Sequence, residues 1–365
     1  MSLLHHIALT LVPNIGDVHA KVLLQAYNGD AQKIFQARKG ELDKIPGIGS
    51  VRAKSIKEFI DFKRAEEELA FIEKYKIETL IIGEEKYPKR LLNCYDAPTL
   101  LYYRGNANLN AEKIVTIVGT RSNTDYAREV TEKLIDEFAQ HDILIVSGLA
   151  YGVDSIAHKL SIKNNLKTVG VLAHSLDRIY PTTHTSLAKE MVENGGLLTE
   201  FMSGTKPDKQ NFPKRNRIVA GVADATIIIE TSMKGGSLIT AELANSYNKD
   251  VFAIPGKIND SKSEGCNFLI KTNKAMLITS AEDVIEQMQW TSNKKQKPKA
   301  QRELFIELTP DEQIIIKILK EQTQIHIDEL YFKSGLSSSH VAQAILNLEL
   351  EGIINQMPGK LYKLI

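Results

Sequence analysis

The hydrophobic positions of this chain change rhythm along its length, and each rhythm predicts a different architecture. Between residues 114 and 255 they form short continuous runs at 114–119, 143–147, 168–173, 196–200, 225–230 and 250–255, each followed by a helical pattern. Strands covered on both faces read as unbroken apolar runs, so this stretch predicts a parallel sheet with helices on both sides. Residues 79–82 and 100–105, separated by Pro88 and Pro98, read as its entry. The first seventy or so residues read as short helices. After Trp290 the apolar rhythm stops in the polar, basic run Thr291-Ser292-Asn293-Lys294-Lys295-Gln296-Lys297-Pro298-Lys299, a flexible linker. Helical patterns at 310–321, 327–334 and 337–351, then a hairpin at 353–362, complete a winged helix-turn-helix pattern. The expected organisation is a helical segment over 1–75, an α/β domain over 76–290, a linker over 291–303 and a winged-helix-like domain over 304–365.

The helical segment holds an internal repeat. Pro13-Asn14-Ile15-Gly16-Asp17-Val18-His19-Ala20-Lys21 aligns with Pro46-Gly47-Ile48-Gly49-Ser50-Val51-Arg52-Ala53-Lys54 at Pro, Ile, Gly, Val, Ala and Lys. This spacing resembles helix-hairpin-helix units, whose glycine turns offer backbone N–H groups to a phosphate. Asn14 stands where the second copy has Gly47, which makes the first copy the weaker phosphate binder or a purely structural one. A packing or regulatory bundle is the favoured reading of both, because Glu66, Glu67 and Glu68 follow closely.

In open parallel sheets, ligands bind beyond the carboxyl ends of the strands. Those ends carry Gly119-Thr120-Arg121, Ser147-Gly148-Leu149-Ala150-Tyr151-Gly152, His174-Ser175, Thr199-Glu200 and Glu230-Thr231-Ser232, with Gly235-Gly236-Ser237 opening the next helix. Glycine and hydroxyl residues thus collect where a phosphate would sit. Several enzyme classes are disfavoured. The first turn lacks G-x-G-x-x-G and the second strand ends in Ser147-Gly148 rather than an acid, which argues against NAD. There is no Walker-type G-x-x-x-x-G-K-[ST], and Ser147 is not in a G-x-S-x-G elbow. Asp154 and His158, one turn apart, are read as a structural hydrogen bond, and His174, Asp177 and His184 as surface or loop residues without metal spacing. No catalytic constellation, metal site or cofactor site is expected.

Charge gives a sharper signal. The chain is nearly neutral, with 46 Lys+Arg against 45 Asp+Glu and a net charge of +1, so any nucleic-acid contact must be local. One stretch has that character: Phe212-Pro213-Lys214-Arg215-Asn216-Arg217-Ile218, with Lys206 and Lys209 ahead of it. Cations, a helix start and a ring on which a base can stack suit single-stranded nucleic acid. Taken alone, the same stretch also fits a buried ring beside a solvated helix face. Cys94 and Cys266 are far apart and read as reduced packing residues. With no leader-like start and no apolar run of membrane-spanning length, a cytoplasmic protein is expected.

Taken together, Val118-Gly119-Thr120-Arg121, Ser147-Gly148-Leu149-Ala150-Tyr151-Gly152-Val153-Asp154 with Ala157-His158, Phe212-Pro213-Lys214-Arg215-Asn216-Arg217-Ile218, Gly236-Ser237-Leu238-Ile239-Thr240-Ala241 and Val251-Phe252-Ala253-Ile254-Pro255-Gly256 resemble the DprA/Smf family of DNA-processing proteins. The resemblance implies an extended Rossmann core that dimerises, with an N-terminal helix-hairpin-helix or SAM-like domain and a C-terminal winged helix, and no established enzyme activity. It implies a cytoplasmic recombination mediator of natural transformation (competence) that binds and protects single-stranded DNA and helps load the RecA recombinase, with single-strand-binding protein a further partner. Carried over, it makes Arg121 a phosphate ligand approached through Gly119, Lys209 a DNA contact and Phe212 a base-stacking residue. The implied contact set is Gly119, Thr120, Arg121, Ser147, Gly148, Lys209, Phe212, Lys214, Arg215, Asn216, Arg217, Gly235, Gly236 and Ser237. The family often has Ser-Gly-Ser where this chain has Gly235-Gly236-Ser237, which removes one hydroxyl.

Two other functions compete. A nucleotide hydrolase of the lysine-decarboxylase-like group shares the Gly235-Gly236 pair followed by Glu242, but lacks the 212–218 motif and has Gly-Thr where this chain has Leu238-Ile239. A duplex-reading transcription factor would need cations on the third helix of the C-terminal domain, which instead offers Ser337, Ser338, Ser339, His340, Gln343, Asn347, Glu349 and Glu351. Protein contact or intramolecular regulation is favoured for that domain.

Overall fold

The computed structural model describes residues 2–290, 308–322, 324–357 and 359–364. The expected linker at 291–303 lies outside the described residues. The chain divides into two compact units, Met1–Thr291 and Ser292–Ile365.

The first unit opens with six helices, α1 (Leu3–Leu11), α2 (Asp17–Ala26), α3 (Ala31–Gln36), α4 (Lys39–Asp43), α5 (Gly49–Glu58) and α6 (Lys63–Tyr75). The repeat maps onto two hairpins, α1–α2 and α4–α5. Gly47 has a φ of 85° and Asn14, its counterpart, 65°. Asn is among the few residues other than Gly that enter this left-handed region readily, so the substitution keeps the turn. These helices have a core of their own, including Leu9, Leu23, Ile34, Leu42 and Ile56. A second core joins Ile7, Ala65 and Ile72 to Ile81, Leu100 and Tyr102 of the sheet that follows.

That sheet has nine strands: β1 (Glu78–Ile81), β2 (Leu100–Gly105), β3 (Ile114–Val118), β4 (Leu144–Ser147), β5 (Thr168–Val171), β6 (Gly195–Thr199), β7 (Ala225–Ile228), β8 (Asp250–Ala253) and β9 (Met276–Leu277). Their order is β1-β2-β6-β5-β4-β3-β7-β8-β9. From β6 to β9 every pairing is parallel, and β1 and β2 extend the sheet antiparallel. The helices between strands are α7 (Asp125–Phe138), α8 (Val153–Lys163), α9 (Thr185–Glu193), α10 (Asn211–Gly221), α11 (Gly236–Ser246) and α12 (Glu264–Lys271), and α13 (Ala281–Gln287) follows β9. Neighbouring residues of each central strand face opposite cores. Ile114, Val118, Leu144, Val146 and Ile228 enter one, and Val115, Ile117, Ile145 and Ile227 the other. This two-sided burial explains the unbroken apolar runs. The strand order reverses between β3 and β7, and a crevice opens beyond their carboxyl ends.

The second unit contains α14 (Pro310–Glu321), α15 (Ile327–Ser334) and α16 (Ser338–Leu350), with a small sheet of β10 (Ile325–His326), β11 (Ile354–Met357) and β12 (Leu361–Leu364) in the order β10-β12-β11. All three helix starts are capped by side chains, Thr309 accepting from the Glu312 N–H, His326 Nδ1 from the Asp328 N–H and Ser337 from the His340 N–H. Helices and wing close over Ile315, Leu319, Leu330, Val341, Leu348 and Tyr362. On α16 two of the polar side chains turn toward α14. His340 lies 3.1 Å from Asp311, and Asn347 donates to Glu312 at 2.9 Å.

Among the described residues no helix is long and apolar enough to cross a membrane, and no cluster of His, Cys, Asp and Glu could hold a metal ion. Cys94 and Cys266 are both free and buried. His174 and His184, expected at the surface, are buried at 2% and 7% exposure, held by the carbonyls of Ser175 and Leu149.

Candidate nucleic-acid interface

The crevice at the strand-order reversal is a cavity of about 550 Å³. One wall is the turn after β3. Gly119 has no room for a Cβ, which would press on the Val153 side chain. Gly152, at a φ of 77°, lets the start of α8 close on this turn, where the Val153 N–H donates to the Thr120 carbonyl at 3.2 Å. Arg121 is thereby presented outward, its guanidinium 5.0 Å from the centre of the Phe212 ring. That cation–π contact aligns a charge and a stacking surface at one mouth of the cavity. Tyr180 also meets Phe212, edge-on at 6.2 Å between centroids.

The floor is Gly148 with Arg215 across it. Arg215 is buried, donates Nη1 to the Val171 carbonyl at 2.5 Å and Nε to Asn216 Oδ1 at 3.1 Å, and still lines the cavity. Burial lowers its pKa from the ordinary guanidinium value, opposed by the nearby Asp154 carboxylate. Burial in turn raises the Asp154 carboxyl above its usual range, against the pull of Arg215. Asp154 and His158 do not pair with each other. Asp154 accepts from the Ala150 N–H at 3.2 Å, while His158 bridges Thr168 Oγ1 (2.7 Å) and the Gly148 carbonyl (2.6 Å). Burial pushes the His158 imidazole down to about 4, so it is neutral, and a carbonyl can only accept, so Nε2 carries the proton.

The third wall is the start of α11, whose N-cap Gly235 supplies no side-chain cap. Ser237 is 6% exposed, lines the cavity, and its Oγ has no hydrogen-bond partner in the protein. A buried hydroxyl without a partner, beside the free N–H groups of a helix start, is set for an anionic oxygen. Gly236 has open space where a Cβ would go, whereas a Cβ on Gly235 would collide with Thr231 Oγ1. Thr231 therefore occupies the space that a serine at position 235 would need.

Of the residues named from the sequence, Gly119, Thr120, Arg121, Gly148, Lys209, Phe212, Arg215, Asn216, Gly235, Gly236 and Ser237 line this one cavity. Ser147, Lys214 and Arg217 do not. Ser147 is fully buried and its Oγ donates to the Ile117 carbonyl at 2.6 Å. Lys214 and Arg217 face a different groove, on the side of α10 toward the N-terminal helices. Two backbone N–H groups at the strand ends are already engaged, that of Thr120 by the Glu230 carbonyl at 2.7 Å and that of Gly235 by the Ser232 carbonyl at 2.9 Å. Tyr180, Thr231, Ser232 and Ile239 also line the cavity. Nothing in the local sequence marks Tyr180, which reaches the site from the loop that follows β5.

Comparison with known proteins gives a consistent result. Residues 78–289 match the family model of DNA recombination-mediator protein A, and residues 296–360 match the DprA winged helix domain. Protein Smf of Escherichia coli (strain K12) is 31% identical over 312 residues, covering 82% of this chain and 82% of its own. DNA processing protein DprA of Streptococcus pneumoniae (strain R6) is 39% identical over 215 residues, covering 59% of this chain and 76% of its own. The X-ray structure of DprA from Streptococcus pneumoniae matches with a TM-score of 0.68 at 33% identity, over 79% of this chain and 98% of that one. A structure of DNA processing protein A from Helicobacter pylori, described for its single-stranded DNA binding mode, matches with a TM-score of 0.53 at 34% identity, over 59% of this chain and 96% of that one. With the family match spanning most of the α/β core and a relative aligned over four fifths of the chain, this protein belongs to the DprA/Smf family of DNA-processing, recombination-mediator proteins.

Proposed function

We propose that the protein binds single-stranded DNA in the cavity between β3 and β7, protects it, and helps load a RecA-type recombinase on it during natural transformation, acting in the cytoplasm as a homodimer through its α/β domain. The observation that carries this reading is the convergence of Arg121 stacked on Phe212, Lys209, and the unpartnered Ser237 hydroxyl at the start of α11. Phosphates would meet the cations and the helix start, and bases would lie against Phe212 and Tyr180. Such a site tracks a backbone without reading its sequence.

The test is fluorescence anisotropy of labelled oligo-dT against the wild type and the double variant Arg121→Ala with Lys209→Ala, across a salt series. Each phosphate contact on a single strand contributes about 0.7 to the slope of log affinity against log salt, so losing two makes the slope shallower by about 1.4. Equal affinity for duplex and single strand, or an unchanged slope in the variant, counts against the reading. The hydrolase alternative gains little from the geometry. Glu242 does not line the cavity, is exposed, and lies 3.7 Å from Lys274. Release of free base from a nucleoside monophosphate would revive it.

A further inference from the structure

Helix α10 carries chemistry on two faces. One face points Phe212, Arg215 and Asn216 into the cavity. Arg217, two residues beyond Arg215 and therefore about 200° around the helix, points to the opposite side. Its guanidinium is almost completely buried and gathers three segments that are remote in sequence. It donates to Asp17 Oδ2 at 3.0 Å, to the Glu200 carboxylate, and to the Asp96 carbonyl. Asp17 begins α2, and its other oxygen accepts from the Thr99 N–H at 3.3 Å. The Tyr247 hydroxyl, at the end of α11, donates to Asp96 Oδ1 at 2.6 Å. A groove of about 970 Å³ runs beside this junction between the first N-terminal hairpin and α10.

The first half of α10 has few other restraints. Its N-cap Gln210 makes no side-chain cap, and its buried residues begin only at Arg215. Between the half-buried Phe212 and the apolar anchor at Ile218, the buried side chains of the helix are the two arginines. Arg215 belongs to the cavity itself. Arg217 ties the same turn to the N-terminal helices.

We propose that Arg217 is a positioning residue for the nucleic-acid cavity and that Asp17 acts through it, so that docking of the first N-terminal hairpin on α10 and binding of single-stranded DNA reinforce each other. The proposal rests on the reading of the cavity given above. It gives the internal repeat a division of labour in which the first hairpin is a clamp on the DNA-binding helix. Coupling of this kind is reciprocal, so DNA must also tighten the clamp.

The variant Asp17→Asn separates the proposal from its rivals. Asn keeps the size of the side chain and the acceptor for Thr99 but loses the ion pair with Arg217. If Asp17 acted only through its field, removing a negative charge near a polyanion would tighten binding. If Asp17 holds Arg217, oligo-dT affinity falls, roughly three- to tenfold. The salt slope then stays that of the wild type, because no phosphate contact is lost. Independently, hydrogen exchange of the wild-type protein is followed with and without oligo-dT, and the first turn of α2 is expected to become more protected when DNA is bound. Unchanged or tighter binding by Asp17→Asn, or no change in α2 exchange while the wild type binds DNA, overturns the proposal. Failure of the wild type to bind oligo-dT at all overturns the reading of the cavity, and the proposal with it.

Discussion

Gly148→Ala probes the cavity without removing a charge. Gly148 does not have a positive φ, so the substitution imposes no backbone strain and the whole effect comes from space. A Cβ at this position would lie 2.5 Å from Asp154 Oδ2 and 2.7 Å from Arg215 Cζ, with the Arg215 Nη1 nitrogen closer still. The backbone cannot retreat, because the Gly148 carbonyl is held by His158 Nε2 at 2.6 Å and His158 is fully buried. The guanidinium must therefore give way, losing its 2.5 Å bond to the Val171 carbonyl. A hydrogen bond from a charged group to a phosphate is worth about 1.5–3 kcal/mol, so a guanidinium moved out of reach of the ligand lowers affinity roughly 10- to 150-fold. Overpacking of this kind also costs about 1–3 kcal/mol of stability, which a domain with about 5–15 kcal/mol in hand survives. Oligo-dT anisotropy at fixed salt reads the affinity, and a urea titration shows that the variant is folded under the assay conditions. Affinity within twofold of wild type for the folded variant would refute the reasoning, because Arg215 would then not be part of the binding geometry.

Other outcomes follow from individual groups. Ser237→Ala removes a buried hydroxyl that has no partner in the protein, so the melting temperature is expected to hold or rise while oligo-dT affinity falls about five- to tenfold. His158, pushed down to about 4 from 6.5, stays neutral in the fold but takes up a proton when the chain unfolds below pH 6.5. Its contribution is therefore complete above pH 6.5 and is lost as the pH falls toward 4, by roughly 2 kcal/mol at pH 5, and urea titrations at pH 7 and 5 of wild type and His158→Gln check it. Glu200 has the opposite sign. Burial pushes its carboxyl up to about 7, although Arg217 pulls the other way, so its contribution is complete below about pH 4.5 and is lost as the pH rises through 7. The stability advantage of wild type over Glu200→Gln is expected to grow between pH 7 and pH 5, read by the same titrations.

Much of the fold was legible because burial on both faces leaves a linear trace. The runs at 114–119, 143–147, 168–173, 196–200, 225–230 and 250–255 fall on β3 to β8, and the helix and hairpin pattern after residue 310 falls on α14, α15, α16, β11 and β12. β9 left no trace, being two residues with half-exposed side chains at a sheet edge. Turn chemistry was equally local, as in the left-handed positions of Asn14 and Gly47.

The composition of the candidate site was readable and its partition was not. Sequence adjacency put Lys214, Arg215, Asn216 and Arg217 in one motif, and the helix then sent them to different sides. Arg215 and Asn216 reach the cavity, while Lys214 and Arg217 face the groove toward the N-terminal helices. Ser147 stands at a strand end as expected, but its hydroxyl is satisfied inside the sheet. The sequence by itself determined the secondary elements, the parallel sheet and the presence of a cationic aromatic motif, because these depend on local conformational preference and on the period of burial. Only the tertiary structure decided which residues share a cavity, which N–H groups remain free and which cation serves as a joint. Those depend on the rotation of α10 about its axis and on contacts such as Asp17 with Arg217, two hundred positions apart, which no local pattern encodes.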